Sequence, residues 1–427
     1  MKQIKPVLLA LVAAPVISAA EPSLTVDRVR QRYPWDGSVD IDYTISGYGA
    51  DADPNDYTVV FSFTTVTNGV AVSKTLANFQ TYASCDLPRT AGSHRVTWNG
   101  VDDGCRGLFS TNVSFTGTLY RDATTASEAA YMIVDVSAGP SAEAYPVRYA
   151  SDAVDASQFN KGLYKTTRIV FKRIPAGSFW MGVGVVNASN DRNGNVASAD
   201  ALRQYVQLTQ DYYLAIFETT LAQYYQVCGG TATTDMKPKR SVFCGSTVDT
   251  AIANFNSRLS GRTKCRGSAV TGFSLPTEAQ WERACRAGTL SSVYTGVNID
   301  NQNAANNIRA ALCSCNSSVP TGYRVVGSYD PNPWGFYDMY GNACEWCSDF
   351  FGDYPAPPEG MAWDETNPLV NPTGPETGTV HCIRGGCADS GWNVIISGKR
   401  QNCPSTPTNS NHYRNGFRVA LTLPENN

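Results

Sequence analysis

The chain has 427 residues, 42% of them hydrophobic and 17% charged, which is ordinary for a globular protein and enough for two domains. Its net charge of −3 arises from 34 basic and 37 acidic residues spread along the chain with no basic stripe, which argues against a nucleic-acid-binding surface. No internal segment approaches the roughly 20 apolar residues that a membrane-spanning helix requires.

At the amino terminus, Lys2 and Lys5 precede an apolar run from Val7 to Ile17, followed by Ser18-Ala19-Ala20 and then Glu21. This pattern reads as a secretory signal peptide over residues 1–20, cleaved after Ala20. The mature protein is therefore expected to be secreted or periplasmic. Thirteen cysteines in an exported chain favour disulfides, and the odd count leaves at least one thiol free or bridging another chain. Cys344 and Cys347 form a C-x-x-C with Cys313 and Cys315 upstream, ligand types suited to zinc. The oxidising compartment weighs against zinc, and no βαβ pattern frames the pair as a redox motif.

Residues 21–140 read as an antiparallel β-sandwich, immunoglobulin-like in its strand and turn spacing. Val39, Ile41, Tyr43 and Ile45 alternate with Asp40, Asp42, Thr44 and Ser46; Tyr57, Val59, Phe61 and Phe63 repeat the period, as do Val113, Phe115 and Leu119. Cys85 and Cys105 are the only cysteines there and are expected to pair. No catalytic constellation occurs in this part, whose expected role is a spacer or adhesion module. Residues 141–165 turn to Gly, Pro, Ala, Ser and Asp and read as a linker.

Three helices are expected beyond it. The first carries Leu221, Tyr224, Tyr225 and Cys228, with Thr220 before it and Gly229-Gly230 after it. The second runs between Asp249 and Gly261. The third lies in LPTEAQWERACRAG, where Thr277 and Gln280 make a capping box and Trp281, Ala284 and Cys285 form the buried stripe. The remainder is rich in Gly, Asn and Ser, so the whole is expected to be α+β with much irregular backbone.

The chemistry concentrates in NPWGFYDMYGNACEWCSDFF, residues 332–351. Trp334, Phe336, Tyr337, Met339, Tyr340 and Trp346 surround Asp338, Gly341, Asn342 and Glu345. Gly341-Asn342 supplies a turn, since both residue types tolerate positive φ. A turn that brings Asp338 toward Glu345 with carbonyls between them suits Ca²⁺, a hard cation that takes six to eight oxygens. Two solvated carboxylates on a surface turn would give the same spacing.

GFYDMYGNACEW also resembles a signature of the formylglycine-generating enzymes, the sulfatase-modifying factors. FKRIPAGSFWMG (171–182), FSLPTEAQWERACRAGT (273–289), IRGG (383–386) and NGFRVAL (415–421) resemble further family segments, in the family's order. The resemblance covers about residues 166–423 and implies an α+β fold distantly related to C-type lectins. It implies a calcium site at Asp338, Gly341, Ala343 and Glu345, and a second beginning with Asn307 and Ile308. It also implies an oxygen-dependent oxidase that holds Cu(I) on two cysteines and converts a sulfatase cysteine to formylglycine. Two soft thiolates suit Cu(I). Here the two copper positions are Ser390 and Ile395.

Two functions follow. The first is an exported, non-catalytic member that binds a protein or small molecule, similar to retroelement-diversified ligand-displaying proteins of this fold. Arg400 to Arg414, dense in Asn, Ser and Thr, is the surface such a protein would display. The alternative is a sulfatase-modifying oxidase with its copper pair shifted to Cys382 and Cys387. A non-haem iron site lacks the histidine spacing it needs, since the chain has only His94, His381 and His412.

Overall fold

A computed structural model describes residues 21–32, 36–49, 52–67, 70–76, 79–82, 87–102, 104–105, 113–123, 125–151, 159–183, 203–242, 250–296, 311–312, 322–388, 390, 394–404 and 414–425. The signal-peptide expectation, Cys85, Asn307, Ile308, Cys313, Cys315, His412 and most of the 400–414 stretch lie outside them.

The first unit contains β1 (Ser23–Gln31), β2 (Ser38–Ser46), β3 (Tyr57–Thr67), β4 (Val70–Thr75), β5 (Gly92–Asn99) and β6 (Val113–Arg121). They make two three-stranded antiparallel sheets, ordered β1-β2-β5 and β4-β3-β6. The expected alternation is realised. Ile41, Tyr43 and Ile45 of β2 face Val59, Phe61 and Phe63 of β3 in one core with Val96 and Trp98. Outward residues of β2 are tied by ion pairs, as in Arg95–Asp42.

The second unit begins earlier than the composition suggests. The expected sandwich ends at 140 and the expected linker fills 141–165, yet β7 (Tyr131–Asp135) and β8 (Tyr145–Ala150) are strands of the second unit. They pair with each other and, through β7, with β9 (Arg168–Ile174). With α1 (Leu163–Thr166) between β8 and β9, little of the 141–165 window is left to connect domains.

These strands belong to a mixed eight-stranded sheet. The chain continues through β10 (Gly177–Met181), β11 (Gln204–Leu208), β12 (Tyr212–Ala215), α2 (Leu221–Cys228), α3 (Thr250–Arg262), β13 (Thr263–Cys265), β14 (Ser268–Ala269), β15 (Phe273–Ser274) and α4 (Glu278–Arg286). Then come β16 (Ala311–Leu312), β17 (Tyr340–Gly341), β18 (Cys344–Phe350), β19 (Leu369–Val370), β20 (Val380–Arg384), β21 (Gln401–Pro404), β22 (Asn415–Gly416) and β23 (Ala420–Thr422). The sheet order is β14-β13-β8-β7-β9-β12-β23-β15.

Both faces of this sheet are covered. Tyr131, Ile133, Val170, Tyr212 and Leu214 enter one core with Trp281 and Tyr340; Met132, Val134, Ile169, Phe171 and Tyr213 enter a second with Trp346 and Phe417. Strands buried on both faces read as continuous apolar runs without alternation, which is why YMIVD gives no period-two signal.

All three expected helices form. Thr220 and Thr277 each make a full capping box, with Gln223 and Gln280 respectively. Every residue of α4 is buried, so it is a core helix whose charges need partners. A second small sheet, β21-β20-β18-β22, lies beside it. Arg148 of β8 joins the two units: it donates to Asp122 Oδ2 at 2.7 Å and to Tyr57 O at 3.3 Å, and also bonds Thr58.

Candidate functional site

The turn at 338–345 is shaped as its residue types require. Asp338 and Asn342 take φ of 57° and 62°, and Gly341 takes 112°. Asn332 anchors the approach, accepting from Trp334 N and Phe336 N while donating to Ala284 O. Phe217 stacks on Tyr337 with centroids 4.7 Å apart. Burial of the surrounding rings removes the whole turn from solvent.

Three carboxylates meet at this turn. Glu345 is gripped by Arg418, whose Nε reaches Oε2 at 2.7 Å and Nη2 reaches Oε1 at 2.6 Å. Trp281 Nε1 donates to the same Oε2 at 2.7 Å. Arg418 spends its other donors on the carbonyls of Ala215, Ile216 and Tyr337. Asp338 Oδ2 accepts from Gly327 N at 2.6 Å. Glu218, arriving just after β12, accepts from Ala343 N at 2.7 Å and from Asn342 Nδ2 at 2.5 Å, so it clamps the turn.

Positive charge is short here. Glu218, Asp338 and Glu345 are buried with Arg418, and the half-compensating Lys165 is itself buried over the Phe217 ring. Burial pushes the Asp338 carboxyl up to about 6, and burial followed by the neighbouring Asp338 and Glu345 charges pushes Glu218 well above the carboxylate range. Burial lowers Lys165, and Asp338 partly offsets this.

The donor set is all oxygen, which fits a hard cation and not a soft one. Gly341 and Ala343 are buried at the same turn. Among the described residues, no three His, Cys, Asp or Glu side chains form a metal-ligand group, so a cation would draw on backbone oxygens as well. Both Glu345 oxygens are already engaged by Arg418. Asp338 is the most available carboxylate.

A second buried ionic centre lies on α4. Arg384 reaches Glu278 at 2.8 Å and also bonds Glu282; Arg400 bonds Glu278 at 2.7 and 2.8 Å; Arg286 bonds Glu282 at 2.8 Å. The stretch expected as a displayed surface therefore starts with a buried anchor, Arg400, followed by β21, which pairs with β20.

Ser390 and Ile395, where the resemblance would place the copper ligands, carry a hydroxyl and an aliphatic side chain. Ser390 is 8% exposed, and its Oγ accepts from Cys387 N at 2.9 Å. Ile395 is fully buried in the core that holds Trp281 and Tyr340. Cys382 belongs to that core, whereas Cys387 belongs to the other one with Cys344 and Cys403. Burial, then Glu278, pushes the Cys382 thiol far up, and Cys265, Cys285, Cys347 and Cys382 are free thiols. His381 packs on Phe350 and Trp346.

Glu218, Lys165 and the role of Arg418 escape sequence reasoning. The available signal was one acid closing the apolar run YYLAIF at a helix cap, where a charge must be paired if buried.

The fold and site define an α+β domain built around two buried carboxylate–arginine centres. Residues 165–423 match the sulfatase-modifying factor enzyme 1-like domain, and the chain belongs to that family. It is 31% identical over 157 residues to the formylglycine-generating enzyme of Thermomonospora curvata, covering 35% of this chain and 49% of that one. It is 32% identical over 164 residues to the Streptomyces coelicolor formylglycine-generating enzyme, covering 35% and 46%. The serine/threonine-protein kinase pkn1 of Chlamydia pneumoniae is 32% identical over 154 residues, covering 36% and 21%. The matches thus span about half the length of these relatives or less.

Among solved structures, Treponema denticola variable protein 1 has a TM-score of 0.44 at 21% identity, covering 60% of this chain and 96% of that one. PvdO from Pseudomonas aeruginosa gives 0.43 at 21%, covering 60% and 94%. No helix among the described residues is long and apolar enough to cross a membrane.

Proposed function

We propose that this chain is an exported, non-catalytic family member that uses its second domain to bind a ligand or protein. One observation carries the reading: the two copper positions hold Ser390, hydrogen-bonded to Cys387, and Ile395, packed in the core. A hydroxyl is a hard, weak ligand for Cu(I), and an aliphatic chain is none. The shifted pair fares no better, because burial pushes the Cys382 thiol far above its ordinary value and so disfavours the thiolate that Cu(I) needs.

The alternative, an oxidase acting on a sulfatase cysteine, draws its support from the relatives named formylglycine-generating enzymes. A Cu(I) competition against a colorimetric chelator separates the two. The binding reading expects the chelator to keep the copper. A stoichiometric protein–Cu(I) complex that is lost in Cys382→Ser or Cys387→Ser would establish the oxidase site.

Calcium is the cofactor this reading includes. Asp338, the carbonyls of Gly341 and Ala343, and a spare lone pair of Glu345 would hold it, with Asn307 and Ile308 beginning a second site. Its contribution is structural: a divalent charge neutralises Asp338 and Glu218 and fixes the turn. The same reading takes the first unit as an immunoglobulin-like sandwich with a Cys85–Cys105 disulfide, and the second as C-type-lectin-related.

A further inference from the structure

A cleft of about 380 Å³ opens between β10, β11 and the carboxyl-terminal end of α4, away from the 338–345 turn. Its walls are aromatic. Trp180 and Tyr205 are cross-strand partners whose rings meet edge-on at 5.1 Å, and half-buried Phe179 and Trp334 complete the lining. The volume is at the small end of ligand sites, suited to a compact molecule.

The wall also carries Ser178, Thr289, Glu365 and two arginines, Arg283 and Arg286; Arg283 is only 8% exposed. The other buried arginines of this unit, Arg286, Arg384, Arg400 and Arg418, each pair with a carboxylate. Arg283 has no such partner among the described residues. It donates Nη1 to Gly177 O at 2.8 Å, and its guanidinium stands 6.0 Å from the Trp334 ring. The nearby acid, Asp211, is committed to Arg173 at 2.7 Å.

The guanidinium lies against the Gly177 backbone. Gly177 has φ of 150°, which disfavours a side chain there, and the guanidinium packs against the space a Cβ would take, 2.6 Å from Arg283 Nη2. The carboxyl-terminal dipole of α4 favours a cation at this position, but it supplies less than one counter-charge. A buried guanidinium carries five donors in a fork that matches a carboxylate.

We propose that this cleft binds a small organic anion, a carboxylate carried on a flat apolar body. Arg283 pairs with the carboxylate, and Trp180, Tyr205 and Trp334 cover the body. Exposed Glu365 on the rim repels the same charge and limits affinity. The inference rests on the binding reading of the domain, which the copper competition tests separately.

Titration calorimetry of the full chain with benzoate and its neutral isostere benzamide is the test. Benzoate is expected to bind at least about tenfold more tightly, the size of one charge-assisted hydrogen-bonded pair. Arg283→Gln, checked for an unchanged fold by circular dichroism, should abolish the preference. Glu365→Gln, at an exposed site that leaves the core untouched, should tighten benzoate and leave benzamide unchanged. Equal affinities for the two probes, no binding of either, or a preference insensitive to both substitutions would overturn the proposal.

Discussion

Arg418 and Glu345, 73 positions apart, form a two-pronged ion pair with both side chains withdrawn from solvent. Trp281 donates to the same carboxylate, so three separate family segments meet at one group. Removing one partner of a buried pair strands a charge. Arg418→Met is therefore expected to destabilise the second unit by about 3 to 5 kcal/mol. Trp281→Phe, which loses one hydrogen bond to a charged acceptor, should cost about 1.5 to 3 kcal/mol. Urea melts of the three proteins check the order, and an Arg418→Met protein as stable as wild type would refute the arrangement.

The buried carboxylates set a pH dependence for the metal-free protein. Burial raises Asp338 from 3.8 to about 6, and burial followed by Glu278 raises Asp349 from 3.8 to about 7. Both fold best protonated, so the stability they contribute is complete below about pH 4 and is lost as the pH rises through 6 and 7. Glu278 acts oppositely: burial disfavours its charge, but Arg384 and Arg400 outweigh this and hold it below 4.5. Its contribution is lost in stronger acid. In chelator, the melting temperature should peak on the acid side of neutrality. Asp338→Asn, at a positive-φ position that Asn tolerates, should flatten the fall toward pH 7.

Calcium should remove that fall as well. A ligand that binds only the folded state raises stability by mass action. Added Ca²⁺ is expected to raise the melting temperature at pH 7 more than at pH 5, and Asp338→Asn should lose most of the gain. Identical melts in chelator and in Ca²⁺ would leave Asp338 as a hydrogen-bonding group for Gly327 alone.

The free thiols give a chemical check on the packing. Cys285, Cys347 and Cys382 are fully buried, and burial raises each thiol above its ordinary value. Native alkylation followed by peptide mapping should leave these three unmodified, while half-buried Cys265 reacts faster than any of them. Fast native labelling of Cys382 would contradict the core assignment.

Local signals carried through to the structure, and long-range ones did not. The alternation of β2 and β3 and the capping boxes at Thr220 and Thr277 involve residues within one element, and each forms as read. The positive φ of Gly341 and Asn342 follows from residue type. What was hidden needs a distant partner. Glu218 meets Asn342 across 124 positions, and Arg400 meets Glu278 across 122. β7 and β8 looked like the end of a sandwich and a linker because a strand covered on both faces shows no period, and Tyr145–Ala150 is short, contains a proline and follows a Gly, Pro, Ser and Ala stretch. Arg148, bound to Asp122 and Thr58, ties the two units through partners 26 and 90 positions away, which no local composition reveals.

The central claim, that the family's oxidase chemistry is absent here, is tested most directly by incubating the full chain with a Cys-x-Pro-x-Arg peptide, oxygen, a thiol reductant and Cu(I), and measuring the peptide mass. With Ser390 and Ile395 at the copper positions, the peptide is expected to emerge unchanged, with no aldehyde trapped by a hydrazine probe. Aldehyde formation that is catalytic in the protein and lost in Cys382→Ser or Cys387→Ser would contradict the account and make that pair the active site.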